Sequence, residues 1–291
     1  MTAETFADLL SATRGRRDAD WQGRSLLVIN ESWGELIVSR QGAHLLHYAP
    51  AGERGWLWTT PTPKAVPGAI RGGVPLCWPW FAEPEDGQGP MHGLARTADW
   101  RIDAIDEEIE GGVEIHLSPE KPLHDQLAPR LVIRANARRL ELELITEHRG
   151  ETPLKLTQAL HAYFAVADVH RARVEGLAGA RYLDKLDDFA ERDQNGELGV
   201  RGALDRIYHS SRPLLLDDGQ RRLRIAKQGS DSSVVWHPGD SAPGDVPDEQ
   251  RYAFLCIEPA CTRLDPVWLA PGAQHLLALH ISAEPAEPTA P

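Results

Sequence analysis

Two residues of this sequence carry ionisable groups into apolar runs. His161 interrupts the segment LTQALHAYFAV (156–166), and Glu258 follows the apolar FLCI in FLCIEPA (254–260). A histidine changes charge near neutral pH, and burial shifts its pKa enough to matter there. A carboxylate is seldom buried without a partner or a task. Together the two supply one proton donor and one proton acceptor, which is what general acid–base catalysis requires. Taken alone, His161 also reads as a core histidine with satisfied ring nitrogens, and spacing does not show that it meets Glu258.

Three further segments hold side chains suited to recognising a polar ligand. AIRGGVPLCWPWF (69–81) cannot be a regular element. Its prolines remove backbone donors, and Gly72 and Gly73 permit backbone angles closed to other residues. The shaped loop predicted there carries Arg71, Trp78 and Trp80. Its tryptophans suit a wall for the flat face of a sugar, or simple core packing. MHGLAR (91–96) brings in His92 and Arg96 after an acidic, Gly-rich loop. A guanidinium matches phosphate oxygens bidentately, so Arg71 and Arg96 can converge on one dianion. Each is also readable as a solvated charge or the partner of one of the 43 Asp and Glu residues. Asp205, in LDRIY (204–208), adds a carboxylate beside Arg206 and Tyr208.

Several function classes are excluded or disfavoured. The chain has no HExxH, GxSxG, P-loop or GxGxxG, the signatures of zincins, α/β-hydrolases, NTPases and dinucleotide-binding proteins. The twelve histidines are scattered, and the pair His44 and His47 has no recognisable strand or helix under it, so no catalytic metal is expected. Cys77, Cys256 and Cys261 are too few for a disulfide framework and read as small buried hydrophobes. A net charge of −12 argues against a nucleic-acid partner. No apolar stretch is long enough for a membrane helix, and the N-terminus lacks the order of a signal peptide, which points to the cytoplasm.

The elements that must hold these groups are β-strands. LLVIN from Leu26, ELIVS from Glu35, VEIHL from Val113, RLVIR from Arg130, RLELELITE from Arg139 and LRIAK from Leu223 are short apolar or alternating runs, punctuated by Gly, Asp, Asn and Pro. Leu140, Leu142 and Leu144 alternate with Glu141 and Glu143, so one face of that strand is apolar and the other wet. That pattern belongs to an antiparallel sheet. Helical spacing is limited to Phe6, Leu9 and Leu10, and nothing resembles repeated βαβ units. The predicted fold is all-β, a large antiparallel β-sandwich with few short helices. Its single domain is expected over residues 1–281, with a disordered tail at 282–291. Loops are expected at 58–67, 83–90 and 237–250.

In this order, RGGVPLCWPWF (71–81), HGLAR (92–96), ALHAYF (159–164), VEGL (174–177) with YLDK (182–185), LDRIY, VVWHP (234–238) and CIEPA (256–260) resemble the D-hexose-6-phosphate mutarotases. These form the glucose-6-phosphate 1-epimerase branch of the aldose 1-epimerase family. One such motif is weak, whereas the ordered set covers most of the chain. The resemblance implies a galactose-mutarotase-like supersandwich and interconversion of the anomers of a hexose 6-phosphate without a cofactor. It implies His161 as general acid and Glu258 as general base. His92 and Asp205 would bind sugar oxygens, Arg71 and Arg96 the 6-phosphate, and Trp80 a face of the sugar. The implied partner is a small sugar phosphate, met by a cytoplasmic monomer. Leu94, Met91 and His237 depart from the common residues Phe, Gln and Asn, which bears on substrate preference. An epimerase of unphosphorylated hexoses and a non-catalytic carbohydrate-binding protein remain the alternatives.

Overall fold

The computed structural model describes residues 4–285. The helix Phe6–Ser11 begins at Thr5, whose side chain accepts from the Asp8 N–H while the Asp8 side chain accepts from the Thr5 N–H. It lays Leu9 and Leu10 on a four-stranded antiparallel meander formed by Gly15–Trp21, Arg24–Glu31, Gly34–Ser39 and His44–Pro50. The last of these strands corrects the reading of His44 and His47, because both lie on it. The apolar residues around them make the strand. His44 Nε2 bonds the Gly72 carbonyl at 2.7 Å and His47 Nε2 lies 3.4 Å from Glu35, so the two rings serve separate partners.

Two larger antiparallel sheets, of nine and eight strands among the described residues, make up the sandwich. The nine-stranded sheet contains Arg139–His148 between Leu127–Ala135 and Gln274–Glu284. Leu140, Leu142 and Leu144 are fully buried there, each contributing about 1.5–3 kcal/mol. On the opposite face Glu143 pairs with Arg134 at 2.9 Å and Glu141 with Arg139 at 3.3 Å, as the alternation predicts. The leucines pack in one continuous core with Phe164, Val235, Leu255 and Ile257 of the eight-stranded sheet, the face-to-face packing of a β-sandwich.

The expected tail boundary moves. The strand Gln274–Glu284 runs past Ile281, because Ser282, Ala283 and Glu284 pair with Arg224, Leu223 and Arg222. The backbone ladder holds these three residues although their side chains give no strand signal. The rest of the tail, 286–291, lies outside the described residues. No helix among the described residues is long and apolar enough to cross a membrane.

The segment 69–81 is not irregular throughout, because Leu76–Cys77 forms a short strand paired with Gln158–Leu160 in the eight-stranded sheet, and the rest is fixed from both ends. Gly72 and Gly73 have φ of 104° and 59°, and a Cβ on Gly73 would sit 2.1 Å from the Leu45 carbonyl oxygen. Trp78 is completely buried and donates Nε1–H to Thr146 Oγ1 at 2.9 Å, tying the loop to the nine-stranded sheet. Of the two tryptophans, Trp78 is therefore core, and Trp80 is free to face a ligand.

Candidate active site

Strand register brings the two candidate catalytic residues together. Phe254–Cys261 lies inside the eight-stranded sheet, paired on one side with Ser232–His237. On its other side Ala159 is opposite Ala260 and Tyr163 opposite Cys256. Continuing that register sets His161 opposite Glu258, and residues directly opposite in an antiparallel pair share a face. The ladder is interrupted there, and the His161 N–H instead donates to the Pro75 carbonyl at 3.0 Å. Two strands further on, Asp205 is opposite Trp236 and Ile207 opposite Val234. Alternation thus gathers His161, Tyr163, Glu258, Trp236 and Asp205 on one face of the sheet. They form the floor of a cavity of about 1170 Å³, whose walls include Arg71, Trp80, His92 and Lys185.

His161 Nε2 lies 3.4 Å from Glu258 Oε1. Both residues are almost fully buried, and His161 Nδ1 and Glu258 Oε2 have no hydrogen-bond partner in the protein. Buried polar atoms are rarely left this way, so these two are set to meet a ligand. Burial pushes the Glu258 pKa well above 4.5, and the Asp205 charge adds to the effect. Burial moves His161 well below 6.5, with His92 and Arg96 acting in the same direction. The His161 ring stacks on Tyr163 at 4.9 Å and meets the edges of His92 and Trp236, which fixes its plane.

These shifts couple the site to stability. Glu258 has a raised folded-state pKa, so its contribution is complete below its ordinary value of 4.5 and is lost as pH rises through the folded value. His161 is shifted the other way, contributing above 6.5 and losing that contribution as pH falls through its lowered folded value. Glu258→Gln removes the first effect. Its thermal midpoint is expected to exceed that of the natural protein by a few degrees at pH 8, with the gap narrowing toward pH 5. A gap independent of pH in calorimetric scans contradicts this.

The other candidates differ in how they reach the cavity. His92 Nδ1 accepts from the Ala82 N–H at 3.2 Å, so the neutral ring carries its proton on Nε2 as a donor. Burial, together with Arg96, Lys185 and Arg71, pushes its pKa down to about 3 and keeps it neutral. Asp205 binds Lys185 at 2.8 Å through one oxygen, and its other oxygen is buried without a partner. Trp80 is held by a bond from its Nε1 to the Pro90 carbonyl at 2.9 Å. Arg71 donates from Nε to Asp245 at 2.7 Å and from Nη1 to Tyr163 Oη at 3.2 Å. Arg96 is not on the cavity wall. Its Nη2 donates to the Met91 carbonyl, and its Nε is buried without a partner in the protein.

Residues 24–282 match the family model described as aldose 1-epimerase. The chain belongs to the aldose 1-epimerase family. This epimerase is 34% identical over 248 residues to an Escherichia coli K12 protein named "Putative glucose-6-phosphate 1-epimerase", covering 81% of this chain and 82% of the relative. A Salmonella typhimurium LT2 protein of the same name is 33% identical over 262 residues, 86% of each chain. The crystal structure of "a putative mutarotase (YeaD) from Salmonella typhimurium" superposes with a TM-score of 0.84 at 27% identity, covering 94% of both chains. The all-β sandwich and the isomerase class read from the sequence are thereby borne out.

Sequence reasoning missed four contributors to the epimerase site. Tyr163 follows His161 by two positions on the same β segment, so alternation alone assigns it the same face. Trp236 and Lys185 stand inside VVWHP and YLDK, motifs that were recognised without a role for these residues. Asp245 gave no local signal. It reaches Arg71 from the loop 237–250, a contact across 174 residues.

Proposed function

We propose that this epimerase interconverts the α and β anomers of a hexose 6-phosphate. The observation that carries the reading is the pair His161 and Glu258, directly opposite on one sheet face, each with a buried atom lacking a partner and both open to a cavity that also exposes Arg71 and Lys185. Anomer exchange needs proton traffic at two oxygens on one carbon, so a base and an acid a few ångströms apart can serve both. Glu258 takes the proton of the C1 hydroxyl while His161 gives one to the ring oxygen, and the C1–O5 bond breaks to leave an open aldehyde. Rotation about C1–C2 presents the other face of the carbonyl. On reclosure the O5 hydroxyl returns its proton to His161, and the new C1 oxygen takes the proton held by Glu258. The pair carries one proton throughout, and the form with that proton on His161 opens the ring.

The sugar is oriented by groups with free capacity. His92 Nε2–H and the unpartnered Asp205 oxygen bind sugar oxygens, and Trp80 lies against the ring. The phosphate lies against Arg71, whose Nε and Nη1 are already directed by Asp245 and Tyr163. Arg96 reaches it only by leaving the Met91 carbonyl. Binding energy from the phosphate, remote from C1, then holds the reacting atoms in place.

Calorimetric titration tests the substrate class. Glucose 6-phosphate is expected to bind at least ~10-fold more tightly than glucose, since a hydrogen bond to a charged group contributes about 1.5–3 kcal/mol. Equal affinities contradict the phosphate reading and favour the epimerase of unphosphorylated hexoses.

A further inference from the structure

One buried group beside the reacting pair has no part in anomer exchange. Cys256 precedes Glu258 by two positions on the same strand, so its thiol shares the face of the carboxylate. Ligand atoms of His161, Cys256 and Glu258 all lie within 4.8 Å of one another. The His161 Nε2 to Glu258 Oε1 separation is 3.4 Å. Tetrahedral zinc, with bonds of about 2.0–2.1 Å to nitrogen and oxygen, sets two such ligand atoms about 3.3–3.4 Å apart. A sulfur at about 2.3 Å from the ion needs edges of about 3.6 Å, so the thiol has to close by roughly 1 Å. The second oxygen of the carboxylate, Glu258 Oε2, is likewise buried without a partner in the protein.

We propose that His161, Cys256 and Glu258 form a three-ligand zinc site whose fourth position opens into the cavity, and that filling it stops turnover. A thiolate, an imidazole and a carboxylate are ordinary zinc ligands. The two anionic ligands balance the charge of the ion, so the filled site adds no net charge beside Arg71 and Lys185. Binding expels the thiol proton to solvent and requires the imidazole nitrogen to be unprotonated. Cys261 cannot replace Cys256. It lies five positions along the strand, faces the sandwich core and bonds the Gly229 carbonyl. The metal site rests on geometry alone, and only its effect on turnover depends on the roles proposed for His161 and Glu258.

Cobalt(II) added to the full chain reads the site without reference to activity. One equivalent is expected to give tetrahedral d–d bands and a thiolate-to-cobalt charge-transfer band, both displaced by zinc. Cys256→Ser is expected to lose the charge-transfer band and to weaken zinc binding roughly 100-fold in calorimetry, and Cys261→Ser to keep both. Zinc inhibition of anomer exchange should disappear with the same Cys256→Ser change. Should that variant not fold, Cys256→Ala and the spectrum of the natural protein carry the test. No charge-transfer band at saturating cobalt, or a band that persists without Cys256, overturns the proposal. A protein that shows the band but no anomer exchange overturns the proposed activity and leaves the metal site standing.

Discussion

Glu258→Gln is expected to lower the rate of anomer exchange by about 10²–10⁴, with little change in KM. The substitution keeps the shape of the side chain and its capacity to hydrogen-bond, and removes only its ability to take a proton. Glu258 is buried and 3.4 Å from His161, and the register sets no other carboxylate opposite that ring. The other carboxylate on that face, Asp205, is bound to Lys185 at 2.8 Å. His161→Ala is expected to cost a similar factor, because His92, the nearest other imidazole, has its Nδ1 committed to the Ala82 N–H and its pKa pushed down to about 3. The double variant should lose little more than either single one, since removing one member of an acid–base pair already disables the other. Polarimetry of freshly dissolved α-glucose 6-phosphate, corrected for the uncatalysed rate, reads all three. A rise in KM with kcat intact assigns Glu258 to binding rather than proton transfer.

Arg71→Ala is expected to raise KM for glucose 6-phosphate by about 10–100-fold and to leave glucose turnover near that of the natural protein. The split follows from where Arg71 sits. Its Nε and Nη1 are held by Asp245 and Tyr163, and it reaches the cavity wall rather than the His161–Glu258 pair. Arg71→Lys keeps the charge and loses the planar fork, so it should fall between the two. Arg96→Ala should have the smaller effect on KM, because Arg96 is not on the cavity wall and its Nη2 is bonded to the Met91 carbonyl. Removing Arg71 also strands Asp245, a buried carboxylate, so the double change Arg71→Ala with Asp245→Asn separates lost recognition from lost folding. Equal losses on glucose and on glucose 6-phosphate contradict a phosphate contact at Arg71.

The strands were legible because their chemistry is local. Leu140, Leu142 and Leu144 carry an alternation that any antiparallel sheet must bury on one side, and the structure buries all three. His161 and Glu258 were legible as misplaced ionisable groups within apolar runs. Their meeting was not, because it depends on strand register across 97 residues and on the break in the ladder at His161. Trp78 and Trp80 stand two residues apart in one segment and part company through distant partners, Trp78 packing in the core and bonding Thr146 while Trp80 bonds the Pro90 carbonyl. Arg96 shows the same limit. Residue type suits it to phosphate, and a carbonyl five residues away takes one of its nitrogens. Ser282 to Glu284 carry no strand signal because a backbone ladder needs none.

Two-dimensional exchange NMR on glucose 6-phosphate at anomeric equilibrium, with a catalytic amount of protein and glucose in a parallel sample, measures the proposed reaction itself. Cross-peaks between the α and β anomeric signals should grow faster with protein present for the phosphate, much less for glucose, and not at all with Glu258→Gln. Acceleration of both sugars alike contradicts the phosphate specificity, and no acceleration for any hexose or hexose phosphate contradicts the catalytic role of His161 and Glu258.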